Sequence, residues 1–150
     1  MPGSWSTWTP AWGAAACKVR GTQGGLLVES GGDPYAVGGA VQEVKGIQSG
    51  QTYRISATCG LQRVEMPFRS VMVRVEWLRA GRAVHPAGML VRGPTVEGGT
   101  ARFSDVVKAL ECADAARVSL EVKWPGPGSV LWKQISMQAC DDPGPRKVKI

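Results

Sequence analysis

The chain has 150 residues, a length that fits one domain able to bury roughly 70% of the surface its unfolded chain exposes, so a core forms without metal or disulfide staples. Its 20 glycines and 10 prolines fall between apolar runs instead of forming a repeat, which argues against low complexity and for turns punctuating strands. The net charge of +6 comes from 18 Lys and Arg against 12 Asp and Glu. These basic residues are scattered, with a cluster only at Arg146, Lys147 and Lys149, whereas a nucleic-acid interface gathers them on one face.

Residues 4–25 carry Trp5, Trp8 and Trp12 among small and turn-forming residues and lack strand or helix periodicity until residues 16–20. This predicts an irregular arm laid over the rest. A short strand follows at 26–29 and a turn at 31–34. The next strand, 35–44, is interrupted by Gly38-Gly39, a pair that signals a bulge or a close backbone approach.

From Gln51 the alternation is clear, with Tyr53, Ile55, Ala57 and Cys59 on one face and Thr52, Arg54, Ser56 and Thr58 on the other. Val71, Val73, Val75 and Trp77 repeat it against Met72, Arg74 and Glu76. Residues 84–90, with His85-Pro86 and Gly88, read as a loop, and residues 100–103 as a short strand. Residues 105–116 have helical spacing but are assigned to a loop with at most one helical turn.

Val118, Leu120, Val122 and Trp124 form the next apolar phase, facing away from Ser119, Glu121 and Lys123. The Pro125-Gly-Pro-Gly turn then leads into the last strand, 129–137, where a bulge near Lys133-Gln134 is needed to place both Trp132 and Ile135 in the core. We place the domain at 1–140. Residues 141–150 read as a linker or the start of a following segment.

These phrases resemble the jelly-roll carbohydrate-binding modules of the family 4, 9 and 22 group. The strand opening Ser-Gly-Gln-Thr-Tyr-Arg-Ile-Ser-Ala at 49–57, the strand 71–77 ending in Trp, the run 116–122 and the closing 128–137 carry the likeness. It implies an all-β fold, an antiparallel β-sandwich of jelly-roll type, that binds a carbohydrate ligand noncatalytically, with a covalently linked catalytic domain as a further partner. An extracellular location follows if that role holds, although no signal peptide is visible. Relatives carry an Asp in the closing strand that helps hold a structural calcium, where this chain has Lys133; an ammonium repels Ca²⁺, so no metal and no cofactor is expected there. Asp105 and Asp114 are the carboxylates left for a site elsewhere.

A sugar groove needs flat aromatic faces for pyranose rings and planar polar side chains for paired hydroxyls. Arg54, Arg74, Glu76, Glu121 and Lys123 lie on the polar phases, and Trp5, Trp8 and Trp12 lie outside clear strands. These eight are the candidate ligand-binding residues. The alternatives are a solvated face of cross-strand ion pairs for the charged group and a cap on the open end of the sandwich for the tryptophans. Trp77 and Trp124 are assigned to the core.

Catalysis finds little support, since the single His85 stands alone and no nucleophile elbow or metalloprotease motif is present. Glu76 and Glu121 would suit glycoside hydrolysis only if they escaped the surrounding Arg and Lys. Cys17, Cys59, Cys112 and Cys140 lack the close spacing of a zinc or redox site and are read as buried thiols in preference to bridges. No apolar run approaches the roughly 18 residues of a membrane span. Met1 starts either a cytosolic protein or a fragment of something larger.

Overall fold

A computed structural model describes residues 5–13, 15–84 and 88–141. His85 and residues 142–150, including Arg146, Lys147 and Lys149, lie outside them. Two antiparallel sheets face each other. One, sheet A, has the order β1 (Ser6–Trp8), β4 (Val37–Lys45), β11 (Ala115–Lys123), β6 (Val71–Arg79) and β7 (Arg82–Ala83), with β8 (Met89–Leu90) also on β6. Sheet B has the order β2 (Lys18–Thr22), β3 (Gly25–Glu29), β12 (Ser129–Cys140), β5 (Thr52–Gln62), β10 (Thr100–Lys108) and β9 (Thr95–Glu97). The expected β-sandwich is therefore present, and among the described residues its one helix is the four-residue α1 (Pro67–Ser70) ahead of β6.

Alternation dictates the core. Tyr53, Ile55, Ala57 and Cys59 of β5 turn inward together, as do Val71, Val73, Val75 and Trp77 of β6 and Ala116, Val118, Leu120 and Val122 of β11. Two aromatic pairs fill the space between the sheets, Tyr53 against Trp77 with ring centroids 6.4 Å apart and Phe103 against Trp132 at 5.8 Å. Such tilted pairs add a little beyond their buried area.

The last strand shows how one extra residue saves a register. Trp132 is fully buried opposite Cys59, but simple alternation would then send Ile135 and Met137 outward. The register shifts between Lys133 and Ser136, with Gln134 at φ 47°, so Ile135 and Met137 pack on the core as well. This is the expected bulge.

At Gly38-Gly39 the structure selects close approach over a bulge, because β4 runs unbroken against β11. A methyl on Gly38 would press on Cys17, and one on Gly39 would overlap the Leu120 carbonyl. The loop assigned to 105–116 is shorter than expected, since β10 continues to Lys108, pairing Asp105 with Ile55. No helix forms there.

All four cysteines are free thiols. Burial pushes Cys17 up to about 11 and Cys59 to about 12. Cys112 is exposed, contrary to the buried reading, because it sits in the turn between β10 and β11.

Candidate functional site

The outer face of sheet A builds a cleft from a row of cross-strand partners. Trp8 of β1 pairs with Gly39, Gly39 with Glu121, and Glu121 with Met72, so these four share one face. Gly39 has no side chain, and the Leu120 backbone of β11 lies where its Cβ would be, so Trp8 and Glu121 flank a residue that puts nothing between them. In the adjacent row Ser6, Val41, Ser119 and Arg74 follow the same path, with Ser119 buried.

Arg74 crosses diagonally from its row to Glu121, its Nε donating to Oε2 at 2.8 Å. The Glu121 side chain retains 9% of its exposure and that of Arg74 33%, so this ion pair is largely withdrawn from water. The hydrogen bond to Glu121 raises the Arg74 pKa against the opposing effect of burial. A fixed guanidinium–carboxylate pair of this kind presents planar donors and acceptors in one orientation.

Trp8, Trp12, Val37, Met72, Arg74, Glu121 and Lys123 together line about 240 Å³ of space. The arm after β1 folds back so that Trp12, 64% exposed, stands at the rim. On the far side Gly88 rests on the aliphatic stems of Arg74 and Glu76, where a methyl would collide with both. Glu76 shares the face but lies outside the cleft lining, held by Arg117 at 3.9 Å.

No family model and no curated protein matches the sequence. Solved structures do match. The N-terminal cellulose-binding domain of Cellulomonas fimi β-1,4-glucanase C superposes with a TM-score of 0.55 at 11% identity, over 95% of this chain and 92% of that one. The Clostridium thermocellum xylanase 10B CBM22-1–GH10 modules, complexed with xylohexaose, give 0.57 at 14% identity over 91% of this chain and 26% of theirs. The enzymatically active domain of bacteriophage CBA120 tailspike protein 4 gives 0.65 at 10% identity over 91% of this chain, which spans only 19% of that one. The chain has the jelly-roll fold of carbohydrate-binding modules.

Five of the eight residues chosen from sequence, Trp8, Trp12, Arg74, Glu121 and Lys123, meet in the cleft, and Glu76 flanks it. The other two go elsewhere. Arg54 is exposed on the outer face of sheet B, between Val106 and Gln138 in the pairing, because β5 belongs to the opposite sheet. Trp5 lies one residue before β1 and packs on the core, lining a separate space with Val44, Ile55, Val118, Ile135 and Met137. It takes the capping role, whereas Trp8 and Trp12 do not.

The calcium position of relatives does not suit the ion here. Lys133 is exposed on β12 and brings an ammonium where oxygen donors are required. Asp105 accepts the N–H groups of Arg92 and Val106, and Asp114 that of Ala80, so both carboxylates serve the backbone.

Sequence reasoning missed a second concavity at the loop end of the sandwich. Pro34, Tyr35, Glu65, Arg69, Trp124 and the turn Pro125-Gly126-Pro127 enclose about 400 Å³. Trp124 was expected in the core as the last member of the β11 alternation, but it is half-buried outside it. Its backbone swings to φ 53° just past the strand and breaks the phase. The following Pro125 was the available signal, since proline restricts the residue before it and ends strand geometry.

Proposed function

We propose that this chain is a noncatalytic carbohydrate-binding module whose ligand lies on the outer face of sheet A, stacked by Trp8 and Trp12 and hydrogen-bonded by Arg74, Glu121 and Lys123. The observation that carries this reading is the pairing of two arm tryptophans with a floor of fixed polar groups in one cleft. Aromatic rings take the apolar faces of pyranose rings and the planar groups take their hydroxyls. The fold shared with carbohydrate-binding modules supports it, and the cellulose-binding domain and the modules complexed with xylohexaose support a carbohydrate as the ligand class. Hydrolysis fits poorly, because Glu121 is engaged by Arg74 and Glu76 by Arg117, so neither carboxylate is free to act on a glycosidic bond.

In this reading residues 1–140 form the module, 141–150 lead to a further segment such as a catalytic domain, and the protein works outside the cell. Isothermal titration against plant, algal and host glycans is expected to give heat with at least one. Trp8→Ala and Trp12→Ala are each expected to weaken that binding about tenfold, or about 1.4 kcal/mol. Unchanged affinity in both variants would remove the cleft from the proposal.

A second reading is an accessory sandwich that packs on a neighbouring catalytic domain without binding glycan. Met66 at the start of α1 and Phe68 within it, 52% and 73% exposed, favour it. Silence of the whole glycan panel would select this alternative.

A further inference from the structure

The loop-end cleft differs chemically from the face cleft in how its cations are held. We propose that it is a second saccharide subsite, specific for an acidic sugar carrying a carboxylate or a sulfate ester; this rests on the carbohydrate-binding reading above.

Trp124 is the centre of the subsite, and its backbone is pinned in a conformation a bulky residue rarely adopts. Its N–H donates to the Ala36 carbonyl at 2.9 Å, and its carbonyl accepts from Oγ of the buried Ser70 at 3.3 Å. A non-glycine residue at φ 53° stores strain unless its surroundings over-determine it, and such residues cluster at ligand clamps.

Two cations use this ring. The Arg69 guanidinium carbon lies 5.4 Å from its centroid and the Lys123 ammonium 4.9 Å. Both distances are within reach of the ring quadrupole, which positions a cation without neutralising it. Among the described residues neither Arg69 nor Lys123 has a carboxylate partner, in contrast to Arg74, which Glu121 neutralises at 2.8 Å. The lining itself carries Arg69 and the carboxylate of Glu65, and Lys123 adds a second positive charge from the neighbouring face cleft through its place over the Trp124 ring.

A ring already serving two cations is a poor platform for a neutral sugar. Tyr35 supplies the open ring instead, 72% exposed on the same cleft. Its backbone is fixed by Asp33, whose Oδ1 accepts the Tyr35 N–H at 2.8 Å and whose carbonyl accepts the Ala36 N–H at 3.1 Å. With Pro34, Pro125 and Pro127 forming the walls, little of this cleft needs ordering when a ligand arrives. A pyranose on Tyr35 would direct its anionic group to the Arg69 fork, which matches carboxylate and sulfate oxygens in pairs.

Lys123 joins the two clefts, lining the face cleft while its ammonium sits over Trp124. Glu121 and Trp124 are three residues apart along the chain, roughly 10 Å in extended geometry. One short oligosaccharide therefore reaches from the face to the loop end.

The test titrates the full chain with oligogalacturonides, heparin oligosaccharides, and xylo- and cello-oligosaccharides of matched length, each at low and high salt, with polyglutamate as an acidic polymer that is no sugar. At least one acidic series is expected to bind tenfold or more tighter than the neutral ones, with a preference that shrinks in salt. The oligogalacturonide and heparin arms tell carboxylate from sulfate. Arg69→Ala should abolish the preference and leave neutral binding intact, with circular dichroism confirming the fold. Acidic sugars binding no better than neutral ones, a preference that survives Arg69→Ala, or polyglutamate binding equally well would each overturn the subsite. In the first case neutral binding that responds to Trp8→Ala leaves the carbohydrate function standing, whereas silence of every saccharide removes both.

Discussion

The outer faces of the two sheets carry the same kinds of residue and end in opposite conditions. On sheet A, Arg74 and Glu121 meet at 2.8 Å with side-chain exposures of 33% and 9%. On sheet B, Arg102 and Glu97 are 3.9 Å apart at 58% and 85%, and Arg20 and Glu29 are 3.7 Å apart at 66% and 46%. The difference lies in what covers them. The Trp8–Trp12 arm shelters one side of the sheet A pair and residue Gly88 the other, while the ion pairs of sheet B stand in water. An alternating strand supplies polar groups to a face, but a segment from elsewhere in the chain turns that face into a cleft.

Both faces stand on one shared core, so damage to that core should cost the molecule most. Trp132 is fully buried and stacks on Phe103 at 5.8 Å. Trp132→Ala is expected to cost about 3–5 kcal/mol in urea unfolding, from lost transfer free energy and the cavity left behind. Trp132→Phe should cost much less. It keeps most of the contact and removes an indole N–H that has no hydrogen-bond partner. A small loss for the alanine variant would mean that the sheets are coupled more weakly than their packing indicates.

The same contrast explains how much was legible in the sequence. The sandwich could be read because inward residues such as Ile55, Val73 and Leu120 follow a period of two, which is a local property of each strand. The bulge at Gln134 was legible for the same reason, since Trp132 and Ile135 cannot both face inward without it. Arg54 and Arg74 were indistinguishable, each an Arg on a polar phase, because sheet membership is set by long-range pairing that no local pattern encodes. Trp5 and Trp8 could not be told apart either, because Trp5 just precedes β1 and Trp8 ends it, and a three-residue strand is too short to show its phase. The loop-end cleft was hidden for a third reason. Tyr35, Arg69 and Trp124 come from three places far apart in the chain, the turn before β4, helix α1 and the end of β11, and a backbone at φ 53° cannot be foreseen from alternation.

The cleft itself should respond less strongly than the core. Arg74→Ala leaves the Glu121 carboxylate in a sheltered position without its guanidinium, and is expected to cost about 1–3 kcal/mol. Removing both with Arg74→Met and Glu121→Leu should recover part of that loss, because an apolar pair of similar volume needs no desolvation. Stability should therefore return in the double variant while glycan binding does not. If binding also returned, the polar floor would have no part in recognition.

The smallest expected effect lies on the opposite face. Glu97→Ala removes a carboxylate that is 85% exposed and 3.9 Å from Arg102, and water screens both charges in either state. Its unfolding free energy should stay within about 0.5 kcal/mol of the parent, as should that of Arg20→Ala. A double-mutant cycle on Arg102 and Glu97 measures the coupling directly, with an expected value of about 0.2–0.5 kcal/mol that falls further in high salt. A coupling of 1 kcal/mol or more would show that sheet B fixes its ion pairs without any covering segment, and shelter by the arm could then no longer explain why the Arg74–Glu121 pair is the tighter one.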